Sequence, residues 1–268
     1  MMEIRVLETM DALSEISRIE ETVWGMPPLP VHQTLTAVKN GGLVIAAYDA
    51  DKIIGFSYGF AGFKEGRVYL CSHMLGIDEG YRSQKIGEKL KRKQRESAVE
   101  KGYEEIRWTY DPLETRNAFL NLTKLNGVCT TYIEDAYGEM KDGINRGLPS
   151  DRFEVHWHIN SPHVQKPYVH DTSGTVKLND ISYNSAGLPV CEEVPYNDLK
   201  KHSYAVKVPK DFQNLKKHDT SLALYWRYST RTLFQALFKA GYAAVNLEVS
   251  EKEAVYVFVK KDVLNLTC

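Results

Sequence analysis

Apolar and polar positions in the N-terminal part of the chain switch between strand and helix periods. Met2–Leu7 alternates as a short strand does. Three apolar runs rich in β-branched and aromatic residues follow, separated by polar turns: Leu43–Tyr48, Ile53–Phe60 and Arg67–Ile77. We expect these three runs to form an antiparallel meander.

Helical spacing marks the segment before this meander. Asp11–Trp24 places its apolar side chains on one face, with Thr9 or Asp11 as the N-cap. The prolines of "GMPPLPVH" then end the helix, because proline cannot continue it.

A second helical segment lies after the meander. Lys85–Lys101 contains many helix formers and no glycine or proline after Gly87. The strand-like run Glu105–Tyr110 follows. Strand, helix and strand in this order predict a parallel βαβ unit with a right-handed crossover, and a further helix is predicted over Thr115–Asn126.

The pattern changes near residue 160, where a polar, proline-broken stretch is typical of a linker. Regular patterns return over Tyr204–Val208, Arg227–Ala240, Ala243–Val249 and Ala254–Lys260. We therefore expect a domain over residues 1–160 and a smaller α+β region over residues 161–268.

Composition limits the class of protein. The 268 residues are 43% hydrophobic and 26% charged, as in a globular protein with a core. A net charge of -1 opposes a nucleic-acid partner, since such proteins usually carry a basic excess. No signal-peptide pattern and no membrane-spanning run are visible, so we expect a cytoplasmic protein with no membrane partner.

The stretch "MLGIDEGYRSQKIGEKL" has three interpretations: a basic patch, a charged surface helix, or a strand-to-helix joint that binds phosphate. The basic cluster Lys89–Arg95 contains no aromatic residues for base stacking and is diluted by glutamates, which opposes nucleic-acid binding. The backbone N–H groups of a helix N-terminus attract anions. Ser83–Gly87 would supply these groups, with Arg82 and Lys85 adding charge.

This joint resembles the Arg/Gln-x-x-Gly-x-Gly/Ala motif of the GNAT acyltransferases, which holds the pyrophosphate of acyl-coenzyme A. The motif falls on Arg82, Ser83, Gln84, Lys85, Ile86 and Gly87. The order of elements over residues 3–135 is also similar to that family. The resemblance implies an α+β fold with a mixed sheet, in which an antiparallel meander joins a parallel βαβ unit and one strand pair splays apart.

Two positions depart from the family pattern. Lys85 replaces its middle glycine, and Leu122 stands where the family often has the tyrosine that protonates the departing thiolate. Asn117, in "TRNAFLNLTKLNGV", matches an asparagine of the family's cofactor-binding set loosely. These departures leave open a catalytically silent module that binds coenzyme A or a protein partner.

The resemblance implies direct acyl transfer from a coenzyme A thioester to an amine. A backbone N–H of Met74, Leu75 or Ile77 would polarise the thioester carbonyl. Gly76 suggests a bulge where the strand leaves its neighbour. The cofactor-binding set is therefore expected to include Leu75, Gly76 and Ile77 besides the joint and Asn117.

Several residues compete to accept the amine proton or to protonate the thiolate. His73 is either the base or a hydrogen-bonded core histidine. Glu114 lies beyond the strand end with Asp111, and capping is the alternative role of both. Tyr110 and Tyr132 are candidate replacements for the tyrosine acid.

Four arginines in the region from Glu105 to Arg152 suit carboxylate recognition or ordinary ion pairs: Arg107, Arg116, Arg146 and Arg152. Long GNAT-like proteins similar in "WTYDPLETRNA" and "GLPSDRFEVHW" include predicted amino-acid acyltransferases, some of which use succinyl groups.

We therefore expect an N-acyltransferase that uses acetyl-CoA or another acyl-CoA, such as succinyl-CoA, and acts on a small-molecule amine without a metal ion. A homodimer is left open. The C-terminal region is expected to be a degenerate half-GNAT unit or a simple α+β cap.

Overall fold

The computed structural model describes residues 2–25, 27–138, 147–166, 171, 173–196 and 198–267. The chain folds into two compact units, Met1–Trp108 with His158–Asn160, and Thr109–Trp157 with Ser161–Cys268. The boundary between the two units falls after Trp108, whereas the sequence predicted a boundary near residue 160. The cause is that two strands within residues 128–158 pair among themselves and with a C-terminal strand, which places them in the second unit.

The first unit contains a mixed sheet. Its strands are β1 (Met2–Val6), β2 (Leu43–Asp49), β3 (Lys52–Lys64), β4 (Arg67–Ile77) and β5 (Glu105–Tyr110), which runs on into the second unit. The lateral order is β1-β2-β3-β4-β5. The first four strands pair antiparallel and β4 pairs with β5 in parallel, so the predicted meander and βαβ unit are confirmed.

Helices cover both faces of this sheet. They are α1 (Met10–Ser14), α2 (Ser17–Trp24), α3 (Val31–Lys39) and α4 (Ile86–Glu100). The single helix expected over residues 11–24 is thus two helices, with Thr9 as the predicted N-cap, 3.3 Å from the Ala12 N–H. Helix α3, directly after the prolines, was not expected.

Side chains from alternate positions of the strands build two cores. Leu13, Ile16 and Ile19 of the N-terminal helices pack with Val44 and Phe56 on one face. On the other face α4 packs through Ile86 and Leu90 against Ile45, Ala47 and Ile54. Helix α4 also buries Gln94, Ser97 and Ala98, and Lys91 from the basic cluster is buried with them.

The second unit is built on six strands in the order β7-β6-β12-β13-β11-β8, with a separate β9–β10 pair. Their ranges are β6 (Val128–Ile133), β7 (Arg152–His158, whose last residue lies in the first unit), β8 (Val176–Lys177), β9 (Asn179–Tyr183), β10 (Pro189–Glu193), β11 (Ser203–Pro209), β12 (Tyr242–Val249) and β13 (Glu253–Lys260). The stretch expected to be a linker, residues 159–180, therefore contains the short strand β8 and the start of β9.

Helices of this unit are α5 (Thr115–Ala118), α6 (Pro162–Gln165), α7 (Phe212–His218) and α8 (Thr220–Lys239). The helix predicted over residues 115–126 occurs as α5 followed by a π-helical stretch, Phe119–Lys124. Helix α8 begins earlier than predicted because Asp219 caps it, 2.8 Å from the Leu222 N–H. Phe234 of α8 packs against Phe153, with ring centroids 4.8 Å apart.

Across the described part of the chain, no helix combines the length and apolarity needed to cross a membrane.

Candidate active site

The loop after β4 is fixed at its start by Asp78. The Asp78 N–H donates to the Ile54 carbonyl at 2.9 Å. Its carboxylate lies 3.1 Å from Lys52 and 3.6 Å from Arg18. The bond from Lys52 is the largest of the interactions that hold the Asp78 pKa below its usual value. The loop therefore leaves the sheet at a defined point.

Tyr81 fixes the middle of the same loop. Its hydroxyl donates to Asp49 at 3.1 Å, and its ring packs against the core that contains Ile86 and Leu90. Residues 78–81 are thus attached to both the sheet and the helix that follows.

Two residues of the loop take left-handed backbone conformations that favour glycine. Ser83 has φ 67° and Lys85 has φ 60°. Lys85 is the N-cap of α4, and it occupies the position of the motif's middle glycine. The lysine therefore adopts the glycine conformation, at a cost of roughly 1–2 kcal/mol. Its exposed side chain adds a cation beside the helix N-terminus.

The first turn of α4 presents N–H groups to an anion. The first hydrogen bond of the helix is donated by the Lys89 N–H to the carbonyl of the N-cap residue Lys85, at 3.1 Å. Helix geometry therefore leaves the N–H groups of Ile86, Gly87 and Glu88 without intrahelical acceptors. Together with the helix dipole and the exposed side chains of Arg82, Lys85 and Lys89, these groups fit a pyrophosphate.

Strands β4 and β5 separate just before this joint. They pair only through Leu70 with Ile106 and Cys71 with Arg107. From Ser72 to Ile77, every residue of β4 except His73 stays paired with β3, and none pairs with β5 among the described residues. The predicted splay is confirmed.

The bulge in β4 lies at His73, not near Gly76 as the sequence suggested. Met74 pairs with Tyr58 and Ser72 with Gly59, so His73 is the extra residue. Gly76 has a packing role instead. A Cβ there would lie 3.0 Å from the rings of both Phe56 and Trp24, so a glycine is needed for their close approach.

The His73 imidazole is not a hydrogen-bonded core group. It is exposed, with ring centroids 6.1 Å from Tyr58 and 5.7 Å from Phe60. Partial desolvation by these neighbours lowers the His73 pKa. A lowered pKa favours the neutral imidazole at neutral pH, which is the form a general base requires.

Glu114 lies in the second unit, at the N-cap position of α5 but without a side-chain capping bond. It accepts a hydrogen bond from the Gln213 amide, and burial raises its pKa. It lines a cavity of about 720 Å³, together with Leu113, Thr115, Arg116, Phe119, Lys210, Asp211, Phe212, Gln213 and Val249. Asp111 has a structural role: it accepts from the Leu113 N–H at 2.8 Å and pairs with Arg227.

The tyrosine candidates for the proton donor are engaged in structural contacts. Tyr110 is 4% exposed, its hydroxyl lies 3.3 Å from that of Tyr256, and burial raises its pKa well above the usual value. Tyr132 donates to Asp151. Leu122 is fully buried. Asn117 is exposed on α5.

The arginines that the sequence singled out differ in their contacts. Arg107 pairs with Glu105 at 2.8 Å and stacks on Tyr69 at 4.5 Å. Arg152 lies 4.0 Å from Asp111. Arg116 lines the cavity of the second unit, and Arg146 lies outside the described residues.

The anchored loop, the open first turn of α4 and the splayed strands form an arrangement that can hold an acyl-coenzyme A thioester. Residues 10–121 match the sequence model of the acetyltransferase (GNAT) family, which indicates an acyl-coenzyme A-dependent N-acyltransferase.

Solved structures with similar folds include a ribosomal-protein-S18-alanine N-acetyltransferase from Escherichia coli, with 15% identity, a TM-score of 0.48, and coverage of 59% of this chain and 94% of that one. An N-acetyltransferase from Staphylococcus aureus Mu50 has 15% identity, a TM-score of 0.47, and coverage of 59% and 98%. An aminoglycoside acetyltransferase from an uncultured soil metagenomic sample, in complex with sisomicin, has 18% identity, a TM-score of 0.38, and coverage of 43% and 82%. No curated protein matches the sequence.

Proposed function

We propose that the protein transfers an acetyl group, or a dicarboxylic acyl group such as succinyl, from coenzyme A to the amine of a small molecule of the amino-acid type. The observation that supports this most strongly is the position of the joint. The unpaired edge of β4 runs from Ser72 to Ile77, directly into the loop that ends at the N-terminus of α4. A thioester along this edge and a pyrophosphate at the helix can therefore belong to one molecule.

The reaction needs a neutral amine and a polarised carbonyl. The amine nitrogen forms a bond to the acyl carbon, and the carbon–sulfur bond breaks to release coenzyme A thiolate. We assign the oxyanion contact to a backbone N–H of the β4 edge, within Met74–Ile77. His73 is our candidate for the base that takes the amine proton, since its surroundings favour the neutral form. The thiolate then takes a proton from water or from the protonated base.

The cavity around Glu114 is our candidate for binding the acceptor. A carboxyl group with a raised pKa in partly apolar surroundings gains from an ammonium partner. Arg116 and Lys210 supply positive charge in the same cavity, although the Lys210 ammonium also donates to the Glu251 carbonyl at 3.1 Å. Leu113, Phe119 and Phe212 supply apolar walls. This set suits a molecule that carries an amine, an acid group and an apolar part.

Leu122 is the residue that favours a second candidate function. Its fully buried side chain offers no proton donor at the position where the family often has a tyrosine. A domain that binds coenzyme A without turnover would have the same joint.

Two measurements test the proposal. Coenzyme A, acetyl-CoA and succinyl-CoA are first compared in thermal unfolding, where a ligand at a hundred times its Kd adds about 2.7 kcal/mol. Gly87→Asp should abolish the shift, because a carboxylate in the first turn repels phosphate while remaining compatible with a helix N-terminus. Gly87→Asn, of the same size without charge, is the matched control and should keep part of the shift.

Thiol release is then measured against a panel of amino acids and polyamines. Release with at least one amine supports the transferase. Binding without release across the panel favours the silent module, and no thermal shift with any thioester at millimolar concentration contradicts the cofactor assignment.

A further inference from the structure

Lys91 lies in a buried polar network between α4 and the meander. It is 2% exposed, and its Nζ lies 2.7 Å from the Ser72 hydroxyl and 3.3 Å from the Gln94 side-chain oxygen. The Ser72 hydroxyl donates to the same Gln94 oxygen at 2.9 Å. The Gln94 amide donates to the Ser57 hydroxyl at 2.8 Å. These four side chains, called the clamp below, connect one helix to two strands.

The clamp is unusual because no hydrogen bond or ion pair to a carboxylate is found for Lys91 within the described residues. Its Nζ lies 3.5 Å from the centre of the Trp108 ring, which provides a cation–π contact. Burial lowers the Lys91 pKa to about 7. A buried amine of this kind costs stability unless every one of its donors is matched. Its presence therefore suggests a role other than stability.

The clamp lies next to the bulge of β4. Ser57 lies opposite Leu75, and Ser72 lies opposite Gly59, so the two serines flank the place where β4 carries its extra residue. Gln94 contacts both serines and so spans the bulge. Gly59 allows this approach: a Cβ there would lie 3.4 Å from the Gln94 amide nitrogen and 2.9 Å from the Cys71 carbonyl.

The register of β4 against β3 determines on which face of the sheet the His73 side chain lies. Side chains alternate across a strand, so a shift of one residue moves every side chain to the other face. With Ser72 held towards α4, the extra residue places His73 and Met74 together on the opposite face, beside Tyr58 and Phe60. A bulge one position away would turn His73 towards α4.

We infer that Lys91 and Gln94 are positioning residues that hold the bulge of β4 in register, and thereby present His73 and the adjoining backbone N–H groups to the thioester. The inference rests on the proposed function for its catalytic consequence only. Its structural part concerns the register of β4 and can be tested without turnover.

The main variant is Lys91→Met, which keeps the length and apolar body of the side chain and removes the amine. We expect kcat to fall at least tenfold, with the KM for acyl-CoA changed less than threefold, because the phosphate joint is untouched. The melting temperature should stay constant or rise, since replacing a buried charge by an apolar residue is often neutral or stabilising. A merely structural lysine would lower activity and stability together.

Three further variants complete the test. Lys93→Met, on the same helix, removes a partly exposed lysine paired with Glu96 at 3.1 Å and should leave kcat unchanged. Ser72→Ala should repeat the effect of Lys91→Met, and Ser72→Thr, which keeps the hydroxyl, should recover most of the activity.

Amide hydrogen exchange tests the inference without any measurement of catalysis. Amides of residues 72–77 should exchange faster in Lys91→Met than in the wild type or in Lys93→Met, and the His73 imidazole resonance should shift. Unchanged exchange together with unchanged kcat overturns the inference. If the wild type releases no thiol with any amine, the proposed function fails, while exchange and the His73 resonance still decide the inference.

Discussion

Lys52 and Asp78 connect the start of β3 to the start of the loop after β4, with 3.1 Å between the ammonium nitrogen and a carboxylate oxygen. The two residues are far apart in sequence, yet the pair sets the point at which the chain leaves β4. The anion site of the helix therefore depends on a contact outside the motif.

Asp78→Asn tests this dependence. We expect the free energy of unfolding at neutral pH to fall by about 0.2–1 kcal/mol, as for partly exposed ion pairs, and coenzyme A to bind several-fold more weakly. The folded-state pKa of Asp78 is lowered, so its stabilisation is present above the unfolded pKa of about 3.9 and lost as the pH falls through the folded pKa. Denaturation curves should thus differ at pH 7 and converge once the pH lies below the folded-state pKa of Asp78. Equal coenzyme A affinity in both proteins would contradict the role of the anchor.

The Lys85→Gly variant distinguishes the effect of backbone strain at position 85 from the effect of the lysine charge. Removing a side chain from a left-handed position should raise the free energy of unfolding by about 1 kcal/mol, while the loss of a cation should weaken coenzyme A binding and reduce its dependence on salt. Ser83→Gly is the matched control, because it relieves similar strain at φ 67° without a change of charge. Calorimetry at two salt concentrations measures both effects. Tighter binding by Lys85→Gly would show that the lysine obstructs the phosphates.

His73→Gln tests the base. Because the His73 pKa is lowered, the acidic limb of the kcat/KM profile should have its midpoint below the ordinary value of about 6.5. The variant should lose this limb and at least tenfold in kcat, with acyl-CoA affinity retained. A wild-type midpoint above 7, or an unchanged limb in the variant, would assign the proton transfer to another group.

Glu114→Gln tests the acceptor cavity. The neutral amide should raise the KM for the amine at least tenfold and leave the affinity for acyl-CoA unchanged. Arg116→Ala should raise the KM only for amines that also carry an acid group. Equal effects of both variants on a plain amine and on an amino acid would contradict the assignment of these two charges.

Asp111→Asn concerns stability alone. The Asp111 carboxylate binds Arg227, which is 1% exposed in the second unit. Removing one partner of a buried pair costs about 3–5 kcal/mol, because the other charge stays buried. Urea denaturation should show this loss, and Asp180→Asn, which breaks the more exposed pair with Lys207, should cost far less.

The sequence predicts elements well where burial dictates a local pattern. The strands of the meander follow from runs such as Leu43–Tyr48, which are buried on both faces of the sheet, and the helix after the joint follows from its helix formers. Strand β7 was missed although it carries a usable signal: Phe153, Val155 and Trp157 alternate and are all buried. Helix α3 was missed because the prolines before it indicate only where a helix ends, not where the next one starts.

The strand-to-helix joint could be predicted because its elements are local. The loop and the helix N-terminus lie in one stretch of sequence, so proposing a phosphate site there needs no knowledge of distant contacts. Lys91 could not be found in this way. Within a run of basic residues nothing distinguishes it, and its burial depends on Ser72, Ser57 and Trp108, which only the folded chain brings together.

The bulge at His73 also has a consequence for chain length. The β3–β4 hairpin could pair regularly if β4 were one residue shorter, and the extra residue is the one that carries the candidate base. Deleting it would leave the flanking pairs intact and produce a plain hairpin. A variant that lacks His73 should therefore keep the hairpin and lose the base that we propose for the transfer.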